Sequence, residues 1–360
     1  MPDTVTEQIA ALRDEDWAVR EEAAAALGTL GDARAVAPLI RLLRDADRAV
    51  RTAAMAALTS LGPQAVEPLA ACLTDPDLSL QESAASILAT TADQRVIEPL
   101  ASALRSTDWI VRMHAASALG RIRDASTIGA LIPLLQDAVK AVRVEATSAM
   151  ATIGEAAVPT LIAALKHTEW LVRLHAIEAL GKMRAPAAVE PLLSVLFNDA
   201  DTAVRTDAVR ALGEIADARA VEFLLGVLSD RDLRPAAIEA LGKIGDRRAV
   251  SALIDVVTGV SRPSNSRVIV GCGDSYDEEI QATGAAVRAL GQIGDASCIP
   301  TLVKALQNTL LRSDAAAALT RFGQPAQTAL LAVLRSEQDP NIIYHVKESL
   351  AALGWRPNRI

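Results

Sequence analysis

One phrase, V-R-x-x-A-x-x-A-L-G, returns along the whole chain and constrains its fold more than any other feature. Its aligned apolar residue falls at Leu27, Leu58, Leu88, Leu119, Met150, Leu180, Leu212, Leu241, Leu290, Leu319 and Leu353, at spacings of 31, 30, 31, 31, 30, 32, 29, 49, 29 and 34 residues. Self-similarity at such a period marks stacked units, each too small to bury its apolar face alone. The spacing gives eleven units with one long insertion and a slightly longer final step. It predicts one continuous domain over residues 1–360, with a loop inserted at about 259–279.

Each unit reads as two helices. The first resembles "RAVAPLIRLL" (34–43), apolar on a helical period, with Pro38 in the early turns where proline is tolerated. The second resembles "VREEAAAALGTLGD" (19–32), with Val19, Ala23, Ala26, Leu27 and Leu30 as an inward stripe. Asp16, Asp47, Asp77, Asp108 and Asp201 precede second helices and suit N-capping, and Gly31 marks a stop. The arginines of the phrase (Arg20, Arg51, Arg112, Arg143, Arg173, Arg205, Arg234 and Arg312) follow turn aspartates such as Asp14, Asp45, Asp137, Asp199 and Asp230. This predicts an Asp–Arg ladder between repeats, weakened where Gln81, Thr283 and Val346 replace the arginine.

Composition agrees. The chain is 51% hydrophobic but 2% aromatic, so its apolar content is mainly small and aliphatic, which favours packed helices over sheet. The net charge of −8 opposes general binding to phosphate backbones. Cys72, Cys272 and Cys298 form no CxxC pair or even disulfide framework, which fits a reducing cytoplasm. The opening "MPDTVTEQIAAL" has neither the basic nor the apolar region of a signal peptide. No run approaches the roughly 18 apolar residues of a membrane span.

The phrases "PLIRLLRD" (38–45) and "AVRTAAMAAL" (49–58) resemble HEAT repeats of the short, phycobilisome-lyase-like class, over about residues 4–355. The resemblance implies an all-α, right-handed superhelical α-solenoid of eleven two-helix repeats, first helices on the convex side and second helices lining the concave side. It specifies fold far better than function: HEAT arrays include scaffolds, adaptors, bilin lyases, DNA glycosylases and a di-iron hydroxylase.

Within that frame one duplicated phrase stands out. "WIVRMHAASALG" (109–120) and "WLVRLHAIEALG" (170–181) share Trp, His and Val-Arg, in a chain with four Trp and four His. The positions flanking Val-Arg lie outside the buried stripe, so the middle of the groove should expose Trp109, Ile110, Met113, Trp170, Leu171 and Leu174, with Val144 between them. His114, Glu145, His175 and Glu178 add polar contacts, and Arg121 and Lys182 cationic ends. Exposed apolar surface of this extent marks a binding site, and Trp is a favoured anchor. The bland alternative is that both Trp fold over inter-repeat turns, as Trp17 would in the same slot without the His.

Catalytic and metal readings fare poorly. His114 and His175 stand two repeats apart, about 20 Å at ordinary helix spacings, too far for one metal. Di-iron hydroxylases of the HEAT type carry His-Glu dipeptides, whereas Ala115 and Ala176 follow the histidines here. No nucleophile elbow or P-loop is present. Glu82, Glu145, Glu178, Asp207 and Glu214 on the groove face disfavour nucleic acid. The insertion (259–279) reads as a Gly/Ser/Pro/Asn loop in which "RVIV" suits a short strand and Cys272 is a candidate reactive thiol.

The sequence therefore points to a non-enzymatic, cytoplasmic scaffold or adaptor without cofactor or metal, holding a helix or apolar segment of another protein in its central groove. The runner-up follows from the resemblance alone: a bilin lyase or tetrapyrrole-binding protein, with Arg121 or Lys182 pairing the bilin propionates.

Overall fold

The computed structural model of the protein describes residues 3–90, 93–259 and 274–356, with side chains from 279 onward in the last span. Its 22 α-helices form eleven successive pairs, and no strand occurs among the described residues. The fold is an all-α solenoid of two-helix repeats. The chain divides into two compact units, Met1–Ala179 and Leu180–Ile360.

Unit 1 contains α1 (Thr4–Ala11), α2 (Trp17–Leu30), α3 (Val36–Leu42), α4 (Arg48–Leu61), α5 (Val66–Cys72), α6 (Leu78–Leu88), α7 (Ile97–Ala103), α8 (Trp109–Ile122), α9 (Ile128–Leu131), α10 (Lys140–Ile153), α11 (Val158–Ala164) and most of α12 (Trp170–Lys182). Unit 2 contains α13 (Val189–Asn198), α14 (Thr202–Ile215), α15 (Val221–Gly226), α16 (Arg234–Ile244), α17 (Val250–Thr258), α18 (Asp274–Ile293), α19 (Ile299–Ala305), α20 (Arg312–Arg321), α21 (Gln324–Ser336) and α22 (Pro340–Ala352). Odd-numbered helices open each repeat and even-numbered helices close it. The strand expected at 267–270, and Cys272, lie outside the described residues.

The helix starts follow the sequence. Asp16, Asp47, Asp77, Asp108 and Asp201 each accept a hydrogen bond from the backbone N–H two residues on, at 2.8–3.0 Å, satisfying a donor the helix leaves open. From the third position inward the buried stripe begins: Val50, Ala54 and Leu58 of α4, and Val142, Ala146 and Met150 of α10, have no exposed surface. The first repeat departs from the expected stripe. Val19 is 37% exposed where its counterpart Val50 is 0% exposed, and Leu30 is exposed too. Val50 is covered by α2, which packs on α4, and among the described residues no second helix packs on α2 in the same way.

Second helices touch at backbone level. A Cβ on Gly28 would lie 2.8 Å from Ala57 Cα, and one on Gly120 would lie 2.6 Å from Ala149 Cα. The glycine that ends the repeated phrase is thus required by close helix approach rather than by a turn.

The expected ladder forms with two kinds of rung. Arg20 binds both carboxylate oxygens of Asp45 in the next repeat (2.8 and 2.9 Å), and Arg112 does the same to Asp137 (2.8 and 3.0 Å). Each also donates to backbone carbonyls of its own turn. Gln81 is not a gap: its Nε2 donates to Asp75 O at 2.6 Å, and its Oε1 accepts from Ser106 Oγ at 3.1 Å. Arginine and aspartate are replaced together by a neutral pair. Thr283 makes no rung: its hydroxyl donates to Glu279 O of its own helix at 2.7 Å. A second ladder, unforeseen in the sequence, runs along the loops before the first helices. Arg95, Arg219 and Arg248 each clasp the aspartate two residues back and donate to a carbonyl of the preceding repeat (Pro63, Pro186 and Ala218).

The last repeat corrects the sequence register. Leu350 is fully buried while Leu353 is not, and Ile342, Val346 and Ser349 complete the stripe. The aligned leucine is Leu350, so the final step is as long as the others. Ile343, rather than Val346, occupies the arginine slot.

Candidate functional site

In unit 1 the second helices present a solvent face that begins with the residue after each cap. That slot holds Trp17, Arg48, Leu78, Trp109, Lys140 and Trp170, all exposed. The cause is geometric: the buried stripe starts two residues later, so the first helical side chain points away from it. Trp109 is 40% exposed and Trp170 43%, as expected, but Trp17 (48%) and Leu78 (42%) are equally open. Exposure therefore belongs to the slot rather than to the duplicated phrase. What the sequence chooses is to fill four of these six positions with large apolar groups. Leu78, overlooked in the sequence, turns an expected patch into a longer row.

One turn on, Met113 and Leu174 are half-buried and Val144 is exposed; Ile110 and Leu171 flank them, half-buried. α8 packs against α6 on one side and α10 on the other, so Trp109 and Met113 stand beside the faces of both neighbours. Arg121 lies exposed in the last turn of α8. Lys182, exposed in the last turn of α12, falls in unit 2.

The two histidines are not equivalent. His114 is half-buried, and burial lowers its pKa while the carboxylates of Glu82 and Glu145 act in the opposite direction. His175 is only 7% exposed, its Nδ1 3.1 Å from Glu178 Oε2. It is therefore removed as a surface contact, against the sequence expectation. The difference lies three residues on, where Glu178 reaches back over His175 and the equivalent Ser117 cannot reach His114. Glu145 stays half-buried on the open face. Among the described residues no group of three or more His, Cys, Asp or Glu is placed to hold a metal ion.

A third histidine takes an unexpected role. His167 occupies the turn position of Asp137, and its Nδ1 accepts the Glu169 N–H at 3.1 Å as Asp137 accepts that of Val139 at 2.9 Å. Arg143, whose rung this would complete, keeps a buried Nε with no acceptor.

Unit 2 carries exposed aromatics of its own that sequence reading missed. Phe197 of α13 and Phe223 of α15 meet with ring centroids 6.0 Å apart, and Tyr344 of α22 is exposed beside His345. The corrected register puts Tyr344 and His345 in the slots of Met113 and His114. Cys72 and Cys298 are buried free thiols, and burial pushes Cys298 up to about 11. No helix among the described residues is long and apolar enough to cross a membrane.

Comparison with known proteins bears on the fold. The chain is similar to importin beta (14% identity, TM-score 0.62, 98% of this chain and 60% of that one). It is similar to Kap121p bound to Pho4p (14%, TM-score 0.66, 98% and 45%) and to the Kap95:Nup1 complex (15%, TM-score 0.64, 98% and 57%). It thus spans less than two thirds of each of these chains. No curated protein matches the sequence. The family model for HEAT repeats matches residues 5–80, 66–151, 128–196, 189–263 and 274–351. It does not distinguish the lyase-like class, and the bilin reading gains no residue from the geometry. With that match covering almost the whole chain, the protein belongs to the HEAT-repeat family.

Proposed function

We propose that this protein is a non-enzymatic binding scaffold whose second-helix face in unit 1 receives a helix or apolar segment of a partner protein. The observation that carries the reading is the row of exposed Trp17, Leu78, Trp109 and Trp170, with Val144 beside it, in a chain that buries most of its large apolar side chains. Such a row retains unburied apolar area that a partner can cover. Trp109 and Trp170 serve as anchors, and His114, Glu145, Glu178 and Arg121 set register. Kap95 with Nup1 and Kap121p with Pho4p are protein complexes on the same fold, which supports carrying protein recognition to this chain. The free thiols of Cys72 and Cys298 suit a reducing, cytoplasmic setting.

The test is a photocrosslinking residue at position 113, expressed in the native host, followed by titration of the captured protein against Trp109→Ala, Trp170→Ala, their double variant and Trp17→Ala. Affinity should fall by about 2 kcal/mol or more per anchor, the hot-spot range, least for Trp17, with little change in thermal stability. Large destabilisation with unchanged affinity would return both residues to architecture.

A further inference from the structure

We infer that the partner segment is a cationic amphipathic helix. Its apolar side chains rest on Trp109, Met113 and Val144, and its lysines or arginines meet Glu82 and Glu145. The inference rests on the scaffold reading and names the chemistry of its partner.

The second-helix faces carry both paired and unpaired carboxylates. In unit 2 three are neutralised from within, Asp207 by Arg210 at 2.6 Å, Glu214 by Lys243 at 2.6 Å and Asp314 by Arg288 at 2.8 Å, while Glu239 and Glu348 form no ion pair among the described residues. In unit 1 Glu21, Glu22, Glu82 and Glu145 form no ion pair among the described residues. The cations of that face stand at helix ends, Arg48 and Lys140 in the first slot and Arg121 in the last turn, leaving the middle rows with carboxylates and apolar groups. His114, between Glu82 and Glu145, does not neutralise them, because burial favours its uncharged form.

Geometry makes this an address for a helix. α6, α8 and α10 pack in succession, so at ordinary spacings of 8–10 Å Glu82 and Glu145 lie about 20 Å apart across the apolar α8. A helix rising 1.5 Å per residue spans that distance with basic residues about 11 or 14 positions apart, spacings that return to the same face. Its apolar stripe then lies over Trp109 and Met113. Unpaired carboxylates beside unburied apolar surface attract such a segment and repel phosphate-bearing surfaces.

The full-length protein is titrated with fluorescein-labelled 18-residue amphipathic peptides of Leu/Lys, Leu/Gln and Leu/Glu composition, at low and high salt. The Leu/Lys peptide should bind at least about tenfold tighter than Leu/Glu at low salt, a gap that narrows as salt rises. Glu82→Gln with Glu145→Gln should bring Leu/Lys affinity down to that of Leu/Gln and leave Leu/Gln unchanged. Asp207→Asn with Glu214→Gln should leave all three unchanged; matching thermal midpoints show that the variants are folded. Equal binding of the three peptides, still lost in Trp109→Ala, overturns the cationic inference and keeps the scaffold reading. A Leu/Lys preference that survives Glu82→Gln/Glu145→Gln reflects only net charge and also overturns the inference. No Trp109-dependent binding of any peptide overturns both.

Discussion

Replacing Gly120 with alanine tests whether close contact between second helices holds unit 1 together. The added Cβ would sit 2.6 Å from Ala149 Cα and 2.7 Å from its Cβ. Carbon contacts prefer 3.5–4.0 Å, so α8 and α10 must separate by about 1 Å, and the obstacle is backbone that cannot rotate away. Overpacking of this kind costs about 1–3 kcal/mol, while exchanging glycine for alanine within a helix returns about 1 kcal/mol. The net is a loss of up to about 2 kcal/mol, or a fall in Tm of up to about 4–8 °C for a unit of this size. Gly129→Ala, in α9 with nothing near its added Cβ, should show the helix gain alone and stabilise by up to about 1 kcal/mol. Ala149→Gly should not rescue Gly120→Ala, because the new methyl group still meets the α10 backbone at residue 149. Trp17, Trp109 and Trp170 all lie in unit 1, so urea unfolding followed by tryptophan fluorescence reports mainly on it. A Gly120→Ala protein as stable as Gly129→Ala would refute the argument from close approach.

Three further outcomes follow from the same geometry. Val142→Ala removes fully buried methyl groups and should cost about 2 kcal/mol in denaturant unfolding, whereas Val19→Ala, on the open first repeat, should cost less than about 1 kcal/mol; equal losses would contradict the end effect. The Arg20 hydrogen bond lowers the Asp45 pKa, and for Asp137 burial acts upward but is outweighed by Arg112, the Val139 N–H and Arg143. Both rungs therefore stabilise above the ordinary 3.8 and weaken as pH falls through the depressed values; Asp45→Asn with Asp137→Asn should flatten the acid limb of Tm against pH, and an unchanged limb would rule the ladder out as its source. Thiol alkylation of the native protein at pH 8 should spare Cys72 and Cys298, whose pKa values burial raises; peptide mapping that finds Cys298 labelled would show that its site opens.

The sequence by itself determined the repeat, the two helices in each unit, the aspartate caps and the exposure of Trp109 and Trp170. All are local consequences of a 3.6-residue period and of donors left open at a helix start, legible without knowing what lies across the interface. Tertiary structure decided what depends on a neighbour. It buried His175 beside Glu178 and left His114 half-open, and it exposed Val19 while covering its counterpart Val50 with α2. It matched Gln81 to Ser106, residues in different repeats, and moved the last register from Leu353 to Leu350 because burial, not spacing, selects the aligned leucine. It also showed that Asp207, Glu214 and Asp314 are paired and that Glu82 and Glu145 form no ion pair among the described residues. Charge pairing is set by distances between helices, and a sequence carries those distances only through the fold.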